Sequence, residues 1–272
     1  MPGSTRASAI GKAAGLALTA AAILLAALAG AIAPPDPFAA VGEPLASPSR
    51  AHPLGTDDLG RDLLSGVAHG ARTSLLVVAG VMVIAALIGV AVGAVAGASS
   101  DPLDDALMRA TEFVQVVPRF FLAVVVIALF GAGLDRLILV LGLTSWPPIA
   151  RIVRAETLSL MRREFVEAAR ALGASGARVV SAHVLPNALP PAVVAISVNA
   201  GGVILLEAGL SFIGLGDPHA MSWGYLANNG QRFLRVAWWM SVFPGAAIAL
   251  AILGVNLLGD AVNDWLDPRR RR

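Results

Sequence analysis

Residues 13–33 and 75–98 each run for more than 20 positions without a charged side chain. A helix needs about 20 apolar residues to cross the hydrocarbon of a bilayer. Backbone polar groups in lipid must bond within their own segment, so such runs become helices. Further apolar segments lie at 120–134, 137–149, 191–210 and 240–259. The third continues a helix that starts near Leu103, and the fourth is short. Gly131, Gly133, Asp135 and Arg136 between them read either as a tight hairpin turn or as an interruption. Only 14% of the residues are charged, against 57% apolar, where a soluble domain carries about a quarter charged. The expected fold class is an all-α integral membrane protein with six transmembrane helices.

Orientation follows from the loops, because cytoplasmic segments accumulate Lys and Arg. With the N-terminus inside, fourteen of the twenty Lys and Arg residues fall on the inner side and six on the outer. Arg109, Arg119, Arg151 and Arg154 are among the inner ones. Both termini are therefore expected in the cytoplasm. Arg6 and Lys12 ahead of Ala31-Ile32-Ala33 imitate a secretion signal, but the apolar run is longer than the usual 7–15 residues, and it reads as a retained first span. Trp238, Trp239 and Trp265 are expected at the membrane interfaces.

The first outer segment opens Pro34-Pro35-Asp36-Pro37 and reads as an extended linker. Thr56 with Asp57 and Asp58 reads as the start of a surface helix with Leu59, Leu63, Leu64 and Val67 on its apolar side. Gly89, Gly93 and Gly97 repeat every four residues on one face, a spacing that lets helix backbones approach closely.

The most informative stretch is the inner loop, residues 151–189. From Glu164 to Leu172 the pattern is helical. Phe165, Ala168 or Ala169, and Leu172 form one face; Glu164, Glu167 and Arg170 form the other. Gly173 is placed to end that helix in a left-handed conformation. Ser175 caps a second short helix to Val184, which Pro186, Pro190 and Pro191 are expected to stop. A loop that only joined two spans would not need a helix–glycine–helix. It reads as a docking surface for a soluble partner.

Glu167-Ala168-Ala169, Gly173, and His183-Val184-Leu185-Pro186 at their spacing resemble the EAA loop of bacterial ATP-binding-cassette (ABC) importer permeases. Residues 52–62 (His-Pro-Leu-Gly-Thr-Asp-Asp-Leu-Gly-Arg-Asp), 185–189 and 211–216 narrow the resemblance to the dipeptide/oligopeptide/nickel permease family, C-type subunit. It covers the chain from about Pro53 to Pro268. The family implies the type I importer fold (MetI-like), with half of a translocation pathway in this chain. It implies a related B-type permease as partner, two cytoplasmic ATPase subunits, an extracytoplasmic substrate-binding protein, and a bacterial plasma membrane as location. ATP and Mg would bind the ATPase subunits, and no cofactor is implied for this chain. Dipeptides, oligopeptides, glutathione and a nickel chelate all fit as cargo. Glu167, Ala168, Ala169, Gly173, Leu185 and Pro186 carry over to ATPase coupling. Arg119 departs from the pattern, standing where a small residue is expected.

The implied domains are 1–33 (tail and first span), 34–74 (outer linker and helix), 75–262 (core permease) and 263–272 (basic tail). The sequence has no GxxxxGK[ST] loop, so it is not the ATPase. It also lacks the HExxH and GxSxG signatures of hydrolases. Its net charge of +2 makes no case for nucleic acid, and without cysteine it has no thiolate chemistry. Polar residues within spans are functional candidates. Ser197, Asn199 and Glu207 are expected to line the pathway or gate it, or to bond a neighbouring helix. Asn256 and Asp260 are expected at interhelical contacts.

Overall fold

The computed structural model describes residues 3–33 and 36–266. Pro34-Pro35 and the arginine tail at 269–272 lie outside the described residues, as does the side chain of Arg6. The helices of eight residues or more are α1 (Gly3–Ala27), α2 (Leu63–Ala98), α3 (Asp101–Val116), α4 (Arg119–Phe130), α5 (Leu134–Ser145) and α6 (Pro147–Met161). They continue as α7 (Glu164–Ala171), α8 (Leu185–Phe212), α9 (Trp223–Gly230) and α10 (Trp239–Leu266). Two isolated β-bridges, Ala40 with Arg61 and Thr56 with Asp62, are the extended pairings among the described residues.

Four segments are long and apolar enough to cross a membrane: Leu63–Ala98, Leu134–Met161, Gly176–Phe212 and Trp239–Trp265. A fifth is α3 with α4, bent by 71°. The expected count of six is not reached among the described residues: there are four spans, or five with the bent pair. In α1 the apolar stretch among the described side chains is Gly11–Ala27, shorter than a full span.

Apolar residues are exposed as well as buried on one helix. Val77, Val81 and Ala85 of α2 are buried, while Leu76, Val83 and Leu87 face outward. A helix apolar all round requires an apolar surrounding.

Several boundaries differ from expectation. The helix from Leu103 does not run through to the third span. Val117 precedes proline and is extended (φ −87°, ψ 120°), because the proline ring clashes with a helical predecessor. Gly131, with φ +84°, turns the chain between α4 and α5, which settles that segment as a turn. The fourth span is not short. It continues through Trp146 to Met161, so the inner loop begins near Arg162 rather than at 151. Arg154 is accommodated there because Asp104 of α3 receives its guanidinium at 2.5 and 2.6 Å, the two-point geometry that suits Arg and carboxylate.

Pro186, Pro190 and Pro191 do not stop a helix; they lie within α8. Pro186 sits in the first turn, where a missing N–H leaves no bond unmade. The segment Val179–Val184 just before it is π-helical. Asn187 Nδ2 donates to the His183 carbonyl at 2.7 Å, so a side chain serves a group near the proline run.

The first outer segment is folded rather than extended. Thr56 is buried, donating to the Glu43 carbonyl at 2.6 Å and accepting from Ala46 N–H at 2.8 Å. It caps no helix. Asp57 closes a turn through Leu59 N–H (2.9 Å) and Arg61 N–H (2.8 Å). Burial pushes the Asp57 carboxyl up, while those two N–H groups and the Arg61 charge pull it down. The helix begins later, with Asp62 accepting from Ser65 N–H at 3.0 Å. The expected surface helix is therefore only the first turns of α2. Trp239 is buried here, its Nε1 donating to the Thr56 carbonyl at 3.1 Å, whereas Trp238 and Trp265 are exposed.

The glycine stripe of α2 packs within the chain, against α6. A methyl group at Gly93 would sit 2.5 Å from the Ala150 carbonyl oxygen and 2.7 Å from Val153 Cβ. Gly89 meets Ile149 and Gly97 meets Thr157 in the same way. Helix α1 packs on α10. A methyl at Gly15 would lie 2.6 Å from Leu257 Cβ, and Lys12 Nζ reaches Asp264 at 3.1 Å. Asn256 presses on Gly201 of α8, an interhelical contact as expected. Asp260 is exposed.

Candidate functional site

Between the spans ending at Met161 and beginning at Gly176 lies α7. Glu164 and Glu167 occupy its first turn and Arg170 its last, each sign opposed to the helix dipole. One side chain, Val166, is fully buried. It clusters with Val179 and Val184, and Leu160, Met161, Ala169 and Ala174 pack around them. That cluster pins α7 to the end of the bundle.

The rest of α7 faces outward. Phe165 is 42% exposed and Leu172 89% exposed, and Ala168, Glu164, Glu167 and Arg170 are exposed as well. The apolar face formed by Phe165, Ala168 and Leu172 is thus turned away from the protein, with Ala169 on the inner side. Val166 is the residue that sequence reasoning missed. Its signal was available: position 166 falls between two charged flanks and aligns with Ala169 at helical spacing.

The end of α7 follows the expected chemistry. Gly173 has φ +87°. Its N–H bonds the Arg170 carbonyl at 2.9 Å, and Ala174 N–H bonds the Ala169 carbonyl at 3.0 Å. This pair of bonds is the Schellman motif, which needs a left-handed residue at the glycine. Ser175 caps the next turn, accepting from Arg178 N–H at 3.4 Å. Leu185 and Pro186 are not in the loop. They open α8, with Leu185 partly buried and Pro186 exposed.

The polar candidates inside the spans separate. Glu207 is 1% exposed and accepts from Ser74 Oγ of α2 at 3.1 Å and Ser211 Oγ at 2.9 Å. Ser74 Oγ also accepts from Trp223 N–H of α9 at 3.3 Å. Glu207 therefore joins α2, α8 and, through Ser74, α9. Ser197 turns its hydroxyl back to the Val193 carbonyl at 3.0 Å. Asn199 donates to the Ser145 carbonyl at 2.8 Å and accepts from Arg119 Nη1 at 3.4 Å. Asn199 also borders a cavity of about 520 Å³ between α6, α8 and α10. Among the described residues no three His, Asp or Glu side chains converge to hold a metal ion.

Comparison with known proteins agrees with this architecture. Residues 89–272 match the family model described as binding-protein-dependent transport system inner membrane component. The chain is 41% identical over 224 residues to a protein named as a peptide transport system permease in Brucella suis biovar 1, covering 82% of this chain and 75% of that one. It is 37% identical over 217 residues to the di/tripeptide transport system permease DppC of Pseudomonas aeruginosa, covering 79% and 72%. In structure it is similar to a chain of the inward-facing MetNI methionine ABC transporter, with TM-score 0.61 at 19% identity, over 74% of this chain and 96% of that one. The all-α membrane fold is of that kind, and the chain belongs to the family of binding-protein-dependent transport system inner membrane components.

Proposed function

We propose that this chain forms half of the translocation pathway of an ATP-driven importer of dipeptides or oligopeptides, and that α7 is its contact with a cytoplasmic ATPase. The observation that carries the second part is the exposure of α7. A helix of eight residues is too short to hold itself together in water. It is anchored by Val166 and leaves Phe165, Ala168 and Leu172 uncovered. Glu164, Glu167 and Arg170 flank that surface and would set the register of a partner. The relatives named for peptide transport support the cargo.

In this reading α1 and the bent α3–α4 pair complete six spans with the four long ones. Both termini lie inside, in a bacterial plasma membrane. The functional units follow as residues 1–33, 34–74, 75–262 and 263–272. The partners are a related B-type permease, two ATPase subunits that bind ATP and Mg, and an extracytoplasmic substrate-binding protein. Asn199 lines the pathway; Glu207 holds α2, α8 and α9 together at its outer end. Leu185 and Pro186 transmit motion of the loop into α8.

Topology has a direct test, because the native chain has no cysteine. A cysteine at Ser47 is expected to react with a membrane-impermeant thiol reagent on intact cells. One at Ser175 is expected to react only after permeabilisation. The reverse pattern overturns the orientation. The assembly has its own test. A tagged copy is expected to co-purify with a second, non-identical permease and two ATPase subunits. A transport-active assembly with this chain as its only permease refutes the heterodimer.

A further inference from the structure

Arg119 was counted among the cytoplasmic cations, but it stands elsewhere. It opens α4 at the 71° bend, and its Nη1 donates to Ser145 Oγ at 3.2 Å and to Asn199 Oδ1 at 3.4 Å. Ser145 is about 16 Å along the helix from the outer end of its span at Leu134, at 1.5 Å per residue. Asn199 falls at the middle of α8 (Leu185–Phe212). Half of a 30 Å hydrocarbon core is about 15 Å. The guanidinium therefore lies near the mid-plane of the membrane.

A cation at that depth is expensive and is ordinarily paired. The other arginine within the spans that meets α3, Arg154, has Asp104. Arg119 has only a hydroxyl and an amide oxygen, and no carboxylate within ion-pair distance among the described residues. Both of its hydrogen bonds leave from Nη1. The Nε–Nη2 edge, which receives carboxylates in two-point fashion, bonds nothing among the described residues. Two cavities border the pair of Arg119 and Asn199. Arg119 borders one of about 260 Å³ and Asn199 one of about 520 Å³, and Pro148 lines both. Small-molecule sites span roughly 300–1,000 Å³.

We infer that Arg119, steadied by Ser145 and Asn199, receives the C-terminal carboxylate of the peptide as it passes mid-membrane. The assignment rests on the peptide-importer reading above. It makes Arg119 a specificity-determining residue of the pathway, acting after the binding protein has released its load. The two hydrogen bonds to Ser145 and Asn199 need no charge, since a neutral amide could make them. The charge is what a carboxylate requires.

The test uses the complete complex in proteoliposomes, with uptake of alanyl-alanine compared with its C-terminal amide. Arg119→Gln keeps a polar side chain and removes the charge; Arg119→Lys keeps the charge. The ratio of acid to amide uptake is expected to fall about tenfold or more in Arg119→Gln, the size of a lost charged hydrogen bond, and to fall less in Arg119→Lys, which keeps the charge but loses the two-point geometry. A second measurement removes the binding protein. Millimolar alanyl-alanine, but not the amide, is expected to raise the thermal transition of the detergent-purified permease–ATPase complex, and Arg119→Gln to abolish the rise. An unchanged ratio and an unchanged rise in Arg119→Gln overturn the assignment alone. So does an Arg119→Gln chain that no longer holds its partner permease, because the missing anion then belongs to that partner. A wild-type complex that carries neither peptide overturns the peptide reading and this assignment together.

Discussion

Gly173→Val is expected to leave the chain inserted in the membrane and to cut ATP-driven uptake by roughly 5–30-fold or more. The glycine sits at φ +87° with no heavy atom within 4 Å of where a Cβ would stand. Packing is therefore not at issue, and the cost is conformational. A left-handed residue with a side chain costs about 1–2 kcal/mol, which is roughly a 5–30-fold loss of the aligned state. A β-branched residue fares worst there, and asparagine better than most. Gly173→Asn is accordingly expected to keep part of the uptake. Uptake and substrate-stimulated ATP hydrolysis should fall together, since the defect lies in aiming α7 at the ATPase. Glu167→Lys is expected to produce the same loss through charge reversal on the exposed face, with Glu164→Gln milder. Wild-type uptake by both Gly173→Val and Glu167→Lys at normal expression would make α7 a connector only.

Gly93→Val is expected to act on folding instead. Its first carbon would stand 2.5 Å from the Ala150 carbonyl oxygen and 2.7 Å from Val153 Cβ, so α2 and α6 must part. Overpacking of this kind costs about 1–3 kcal/mol. Valine is a somewhat better helix former than glycine, but by only a few tenths of a kcal/mol, so the clash wins. The thermal transition of the purified complex is expected to fall by roughly 2–12 °C, with less folded protein in the membrane. Gly209→Val, in α8, is the matched control, since nothing lies within 4 Å of its added carbon. Equal transitions for the two variants would mean that the helix contact yields without cost.

Gly173 and the α2 stripe were readable from sequence because each states a backbone need that only glycine meets. Ser175 was readable for a related reason, since its hydroxyl serves an N–H three residues away. What failed involved residues whose role depends on distant partners. Thr56 and Asp57 have the look of a helix start, yet Thr56 bonds Glu43 and Ala46, more than nine residues back. The Arg154 pairing was out of reach because Asp104, fifty residues away, cannot be assigned to it by spacing. Val166 was passed over because Phe165 and Leu172 are larger and draw the eye to the wrong face. The prolines of α8 misled for a local reason. Pro186 sits in the first turn, and Pro190 and Pro191 lie inside the helix, where a membrane-spanning helix tolerates proline.

The seam between α1 and α10 has a consequence for how the protein is made. Helix α1 leaves the ribosome well before the helix it leans on, and about 210 residues separate Ala27 from Trp239. At about 5–20 residues per second, that interval is roughly 10–40 s. Throughout it Lys12, the only lysine of the chain, waits for Asp264, and the surface around Gly15 waits for Leu257. Closure of the bundle is thus a late event, timed by translation. A premature stop before Trp239 deletes α10 and also strands α1.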